Sequence, residues 1–184
     1  MLFPSNALAS RPQAWLSADK KISEAKGGKV INILDLHPSA LAELGMVGAL
    51  QQNVKTFSME TDILGDLTIV GDPRPLSSVQ EITVYRVVSE ALNNVRRHSR
   101  ASVVNVKLIY EPEDVVIEVT DNGKGFNLDE TLKNETAEGN LGLVSMRERA
   151  EMIGGSLEID TTIAKGTKVM VRIPVPANQP VKAG

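Results

Sequence analysis

The sequence predicts an α+β fold: a two-layer α/β sandwich whose mixed, mostly antiparallel sheet carries helices on one face. Three stretches carry that expectation. Residues 102–110 alternate, with Val104, Val106, Leu108 and Tyr110 on one side, and the apolar run 114–120 follows after a Glu-Pro-Glu-Asp turn. Two such runs across a short turn make an antiparallel pair. Residues 156–160 and 167–175 repeat the arrangement around Lys165-Gly166. From Leu76 onward, Val79, Ile82, Tyr85, Val88, Leu92 and Val95 recur at spacings of three and four, the mark of a helix with one apolar stripe. A sheet with one apolar face needs such helices to cover it.

Residues 1–29 hold Pro4, Pro12, a Lys20-Lys21 pair and Gly27-Gly28, with little periodicity beyond Trp15 and Leu16. They read as a loose leader or an appended segment. Residues 30–60 are more regular. Val30, Ile31, Ile33, Leu34 and Leu36 are dense and apolar until His37-Pro38, where the residue before proline leaves the helical region. Ser39 reads as an N-cap for a helix reaching about Ser58, with Leu41, Leu44, Val47 and Leu50 at near-helical spacing. Asp66 to Val70 reads as a short strand and 71–75 as a loop, before the long helix that starts at Leu76. Residues 127–138 are polar and long for a loop in a compact domain, which marks a mobile functional segment. Gly139-Asn140-Leu141-Gly142 then opens a helix of about 12 residues, closed by Gly154-Gly155 at its C-cap. Residues 177–184 read as a frayed tail.

Composition excludes several function classes. The chain has 184 residues, enough for one well-buried domain with a small appendage. Aromatic residues make up 3%, too few for a single-stranded nucleic-acid stacking platform. A net charge of −3 argues against a phosphate-backbone partner. There is no cysteine, so no disulfide framework and no thiolate-ligated metal. His37 and His98 are the only histidines, too few for a typical zinc site. No apolar run approaches the roughly 18 residues of a membrane span, and the first 16 residues lack the basic start and apolar core of a signal peptide. The expectation is a cytoplasmic domain that touches no membrane, with any anchor elsewhere in the full protein.

Three segments carry chemistry. Glu90, Asn94 and His98 follow one another at i, i+4 and i+8 along the long helix, with Arg97 beside them. By itself such a line is usually a solvated polar face. Asp121 stands at the end of an apolar strand run and leads into Asn122-Gly123-Lys124-Gly125-Phe126. A strand that delivers one acid into a glycine-rich turn presses backbone against a flat or phosphorylated ligand while the acid reads a polar edge. Taken alone, Asp-Asn-Gly is also an ordinary turn. Gly139-x-x-Gly142-Leu143 at a helix start completes the set.

In this order and spacing the three segments resemble the N, G1 and G2 boxes of the ATPase superfamily that unites gyrase, a heat-shock chaperone, histidine kinases and mismatch-repair proteins. The resemblance covers roughly residues 62–175 and implies a Bergerat-type ATP-binding fold. Glu-Ala-Leu-Asn-Asn-Val-Arg-Arg-His-Ser (90–99) and Gly-Leu-Val-Ser-Met-Arg-Glu-Arg-Ala (142–150) look like the catalytic domain of bacterial two-component sensor histidine kinases. They look most like the subclass that signals to response regulators with helix-turn-helix output. Asp35 to Gly45 is similar to the end of the second dimerisation helix there, where arginine more usually stands at the place of His37. Residues 30–60 would then be a remnant of the dimerisation region and 61–176 the ATP-binding catalytic domain.

The resemblance implies roles residue by residue. Asn94 would hold a magnesium ion already bound to the ATP phosphates, and Glu90 would position the attacking group or a metal-bound water. Arg97 would reach a phosphate, and His98 would be a supporting residue of the nucleotide site. Asp121 would accept a hydrogen bond from the adenine amine, with Gly123, Gly125 and Phe126 against the base and sugar. Gly139, Gly142 and Leu143 would offer free amides to the phosphates, and Thr167 would stand near the adenine side. Arg147 and Arg149 are either solvated or facing the mobile segment. The implied activity is transfer of the ATP γ-phosphoryl group to a histidine on a dimerisation helix. Neither His37-Pro38 nor His98-Ser99 has the acidic neighbour that follows the phosphoacceptor in this family, so that histidine is expected on another segment, and a response regulator downstream. Two alternatives share the boxes: an anti-sigma-type serine kinase, against which Leu36 to Gly45 argues, and a nucleotide-binding module without turnover. A gyrase- or chaperone-like ATPase would usually continue into a transducer domain, and none fits after Val175.

Overall fold

The structure, a computed structural model, describes residues 39–133 and 138–175. The expected leader 1–29, the apolar run to His37 and the tail 177–184 lie outside the described residues. Within them, helix α1 spans Ser39–Glu60. Gly45 leaves the helical region (φ 67°, ψ 174°) and kinks it. After the kink, Ala49, Leu50, Val54 and Phe57 are buried in the common core. Residues 40–60 therefore belong to the same compact unit as the sheet. The apolar face of α1 finds its cover in the same core as the sheet.

Strand β1 (Leu64–Val70) begins two residues before the expected start and pairs in parallel with β2 (Val103–Tyr110). Between them lies α2 (Ser78–Asn94). Ser77 caps α2: its hydroxyl accepts from the Gln80 amide, and the Gln80 side chain accepts from the Ser77 amide. The helix buries Thr83, Val84, Val87, Val88, Ala91 and Leu92. The expected stripe is only half right, for Val79 is 54% exposed. That stripe advances by threes more often than fours, so on a helix of 3.6 residues per turn its start winds away from the core.

Strand β3 (Asp114–Asp121) is antiparallel to β2, as expected, and pairs on its other side with β5 (Thr167–Pro174). The sheet order is β1-β2-β3-β5-β4, with β4 spanning Ser156–Thr161. Register places Val106, Val119 and Val169 side by side, and likewise Leu108, Ile117 and Val171. These rows are the buried face, and α1, α2 and α4 (Glu138–Met152) add Leu50, Val88 and Met146 to the same cluster. The mixed, mostly antiparallel two-layer architecture is thus the expected one. The polar stretch 127–138 is not wholly loop, since Leu128–Lys133 forms a short helix, α3. Helix α4 ends where predicted. Gly154 takes φ 74°, and the Gly155 amide donates to Ala150 O at 2.9 Å.

Candidate functional site

The strand ends of β3 and β5, the last turn of α2 and the starts of α3 and α4 enclose a cavity of about 220 Å³. Its shape begins with the way α2 ends. Val95–Ser99 form a π-turn, followed by Arg100 in the left-handed region (φ 55°). Hydrogen bonds in a π-turn reach from i to i+5, which takes later residues out of step with the α-helix. Glu90, Asn94 and His98 therefore do not share the straight line that their spacing suggested. Asn94 and His98 both line the cavity. Arg97 is exposed and off its wall. Glu90 is half-buried one turn before Asn94, beside Gly142 of α4. A Cβ on Gly142 would collide with the Glu90 carboxylate and stand 3.5 Å from Asn94 Nδ2. Glycine lets α4 cross α2 here without displacing the end of the Glu90 side chain.

Asp121 is the last residue of β3, paired with Val104 on one side and Thr167 on the other. It is 7% exposed, and it lies on the cavity wall. The Gly123 amide donates to its Oδ1 at 2.7 Å, and the Thr167 backbone also donates to it. Burial pushes the carboxyl pKa above its ordinary value, and the two backbone donors pull it partly back.

The turn after Asp121 is braced from three directions. The Lys124 amide donates to Ser99 O at 2.7 Å, and Lys124 O accepts from the Ala164 amide at 2.6 Å. Asn122 Oδ1 accepts from the amides of Ser102 and Val103, both at 3.0 Å. Gly125 has φ 57°, and a Cβ there would run into Thr162 O. On the far wall Thr167 Oγ1 lies 3.1 Å from Thr161 Oγ1, which also accepts from the Phe126 amide at 3.2 Å.

Ala91, Val95, Val119, Phe126, Leu143 and Val169 give the cavity apolar walls, with Asp121 and Thr167 as polar groups among them. That combination suits a flat heteroaromatic ring read at one edge by an acceptor. Of the remaining expected residues, Gly125 lines the cavity, whereas Gly123 serves it indirectly through its bond to Asp121. Helix α4 starts at Glu138, so Gly139 falls in its first turn but Gly142 and Leu143 lie deeper, where helical bonding uses their amides. Leu143 contributes an apolar wall.

Sequence reasoning missed Lys124, Ser99 and Thr131, all of which line the cavity. A lysine between two glycines was a visible signal for the first. Ser99 and Thr131 depend on the π-turn and on α3, neither of which has a local pattern.

Comparison with known proteins agrees with this geometry. Residues 79–177 match the family described as Histidine kinase-, DNA gyrase B-, and HSP90-like ATPase. The match spans more than half of the chain, and the chain belongs to that family. Its ATP-binding catalytic domain is of the sensor histidine kinase kind. It is 39% identical over 143 residues to the signal transduction histidine-protein kinase/phosphatase DegS of Brevibacillus brevis, covering 78% of this chain and 36% of that protein. It is 32% identical over 142 residues to the oxygen sensor histidine kinase NreB of Staphylococcus carnosus, covering 77% of this chain and 40% of that protein. The chain thus spans well under half the length of these curated relatives. Among solved structures it resembles the Erythrobacter litoralis EL346 blue-light activated histidine kinase, with a TM-score of 0.54 at 25% identity over 68% of this chain and 40% of that one. It shares its fold with the mycobacterial sensor histidine kinase MprB, with a TM-score of 0.54 at 20% identity over 70% of this chain and 93% of that one. Among the described residues no helix is long and apolar enough to cross a membrane.

Proposed function

We propose that the domain binds ATP with magnesium and delivers the γ-phosphoryl group to a histidine on a separate dimerisation segment. The observation that carries this reading is the buried Asp121 carboxylate on the same apolar-walled cavity as Asn94. Asp121 accepts a hydrogen bond from the exocyclic amine of adenine. Guanine presents an acceptor at that place, so a buried acceptor selects against it. Val119, Leu143 and Val169 hold the ring by apolar contact.

The donor set fits magnesium. Asn94 offers a neutral amide oxygen and Glu90, one turn earlier, a carboxylate; few protein ligands suit an ion that keeps most of its waters and arrives on phosphates. When bound, the ion would neutralise charge on the phosphate oxygens. Glu90 orients the incoming imidazole or a metal-bound water from its place beside Gly142. Arg97, exposed on the π-turn, meets a phosphate only from outside the cavity wall. Catalysis in such a site is mostly positioning, and the nucleophile must come in line with the γ-phosphate. The partners are then a dimerisation segment with its histidine and a response regulator with helix-turn-helix output, in the cytoplasm.

Labelling with γ-labelled ATP tests the proposal. This chain alone should show no stable phosphohistidine. His98 is fixed to the nucleotide-site helix, and His37 precedes a proline without an acidic neighbour. Adding a polypeptide that carries the dimerisation helices should give acid-labile label on that polypeptide, slowly, because the tethering advantage is lost. Acid-labile label on the chain itself, abolished by His98→Gln or His37→Gln, would overturn the assignment. No label under either condition despite ATP binding would favour a binding module without turnover.

A further inference from the structure

We propose that Ser99 is a positioning residue, the joint that sets the base-reading turn against the magnesium-side helix. Resting on the ATP–magnesium reading above, it adds a residue with no role in that reading. Ser99 is one of few buried polar residues among those described, at 8% exposed. It ends the π-turn and lines the cavity between the two halves of the site. Its hydroxyl donates to Val95 O at 2.7 Å and accepts from the Ala101 amide at 3.0 Å. The hydroxyl thus bridges the start of the π-turn to the chain just beyond the left-handed residue Arg100. Its carbonyl accepts from the Lys124 amide at 2.7 Å. Asn94 immediately precedes the π-turn, and Asp121 lies three residues before Lys124. A hydrogen-bonded route from the magnesium-side residue to the base-reading residue therefore runs through Ser99.

The chemistry explains why a hydroxyl is needed. A π-turn is less favourable than an α-turn and persists where side chains hold it. Ser99 Oγ supplies both a donor and an acceptor at one point, fixing where its own carbonyl aims. The carbonyl in turn fixes the Asp121–Gly125 turn. Alanine would keep the carbonyl and the fold but leave the Ala101 amide without its acceptor and the carbonyl free to tilt. Each half-site would survive. What would be lost is their mutual placement, which matters only to a ligand that engages both at once.

The test uses Ser99→Ala and Ser99→Thr in the 184-residue chain. Exchange of the Lys124 amide is measured first without nucleotide. Ser99→Ala should speed it about tenfold, and Ser99→Thr, which keeps the hydroxyl, should restore it. Calorimetry then measures adenosine, ATP without metal, and ATP with magnesium. In Ser99→Ala the gain from magnesium should shrink about three- to tenfold, the scale of one buried hydrogen bond, while adenosine changes less than about twofold. Ser99→Thr should recover most of that gain. Equal losses for adenosine and magnesium ATP, or no loss with Lys124 exchange unchanged, would overturn the proposal while leaving the ATP assignment standing. Failure of the unmodified chain to bind ATP more tightly with magnesium would overturn both.

Discussion

The turn from Asp121 to Gly125 and the helices α3 and α4 face the same cavity but are held very differently. The turn is bonded to distant parts of the chain: Lys124 to Ser99 and Ala164, and Asn122 to Ser102 and Val103. The bonds at the start of α3 are local, with the Thr131 amide donating to Asn127 O and the Glu130 amide to Asn127 Oδ1. Helix α4 buries Met146 and Ala150 in the core, yet Leu141 near its start is 64% exposed. Long-range bonds bind a segment to the global stability of the fold, whereas local bonds open at little cost. The cavity thus has one wall fixed by long-range bonds and another held more locally.

Glycine substitutions should separate the two halves most strongly. Gly125→Ala forces an L-residue into the left-handed region and its Cβ into Thr162 O, so denaturant unfolding should show a loss of about 2 kcal/mol or more. Gly142→Ala sets its Cβ against the end of the Glu90 side chain, which can swing aside. It should cost less than about 1 kcal/mol of stability while impairing magnesium ATP binding. Equal destabilisation by the two would erase the distinction.

Next in size is Asp121→Asn. At neutral pH it should weaken ATP binding about tenfold or more, because a buried acceptor for the adenine amine is lost. Stability should not fall with it. Burial raises the Asp121 pKa in the folded state, so its contribution to stability is fully present below the unfolded pKa and is lost as pH rises through the folded one. Asparagine cannot ionise and escapes that loss. Titration should therefore show the mutant gaining on the wild type as pH rises through the acid range. ATP affinity of the wild type should begin to fall, on acidification, at a higher pH than an ordinary carboxylate would give. Calorimetry across pH checks both statements.

A smaller effect is expected at the border between the halves. Asn94→Ala should weaken magnesium-dependent ATP binding about three- to tenfold and ADP binding without metal much less. Equal loss in both would assign Asn94 to folding. The smallest signal is kinetic. Amide exchange across residues 127–141 should slow when ATP is added, while that of Asn122 to Gly125 stays slow throughout. Strong protection of 127–141 without nucleotide would remove the asymmetry.

Much of this was legible in one dimension. Alternation in 102–110, the apolar run 114–120, the turn at Lys165-Gly166 and helical spacing after Leu76 are signals within ten or so neighbours, and each produced the element expected. The three boxes were legible for the same reason, since glycines and an acid at fixed offsets are read along the chain. Boundaries and faces were less so. Val79 matched the stripe by spacing yet points to solvent, because which arc of α2 is buried depends on where the sheet lies.

By itself, the sequence determined the kind of fold, the order of its elements and the identity of Asp121, Asn94 and Glu90 as the residues to watch, because propensity, periodicity and motif spacing are local properties of the chain. Only the tertiary structure decided that residues 40–60 share the catalytic core, that Arg97 lies off the cavity wall and that Gly142 sits within α4 rather than at an open amide cradle. It also decided that Ser99, given no role by the motif that contains it, accepts from the Lys124 amide and so joins two segments more than twenty residues apart in sequence. Burial, π-turn geometry and a carbonyl aimed at a distant amide all depend on what packs against what, and partners so far apart in sequence leave no local periodicity to read.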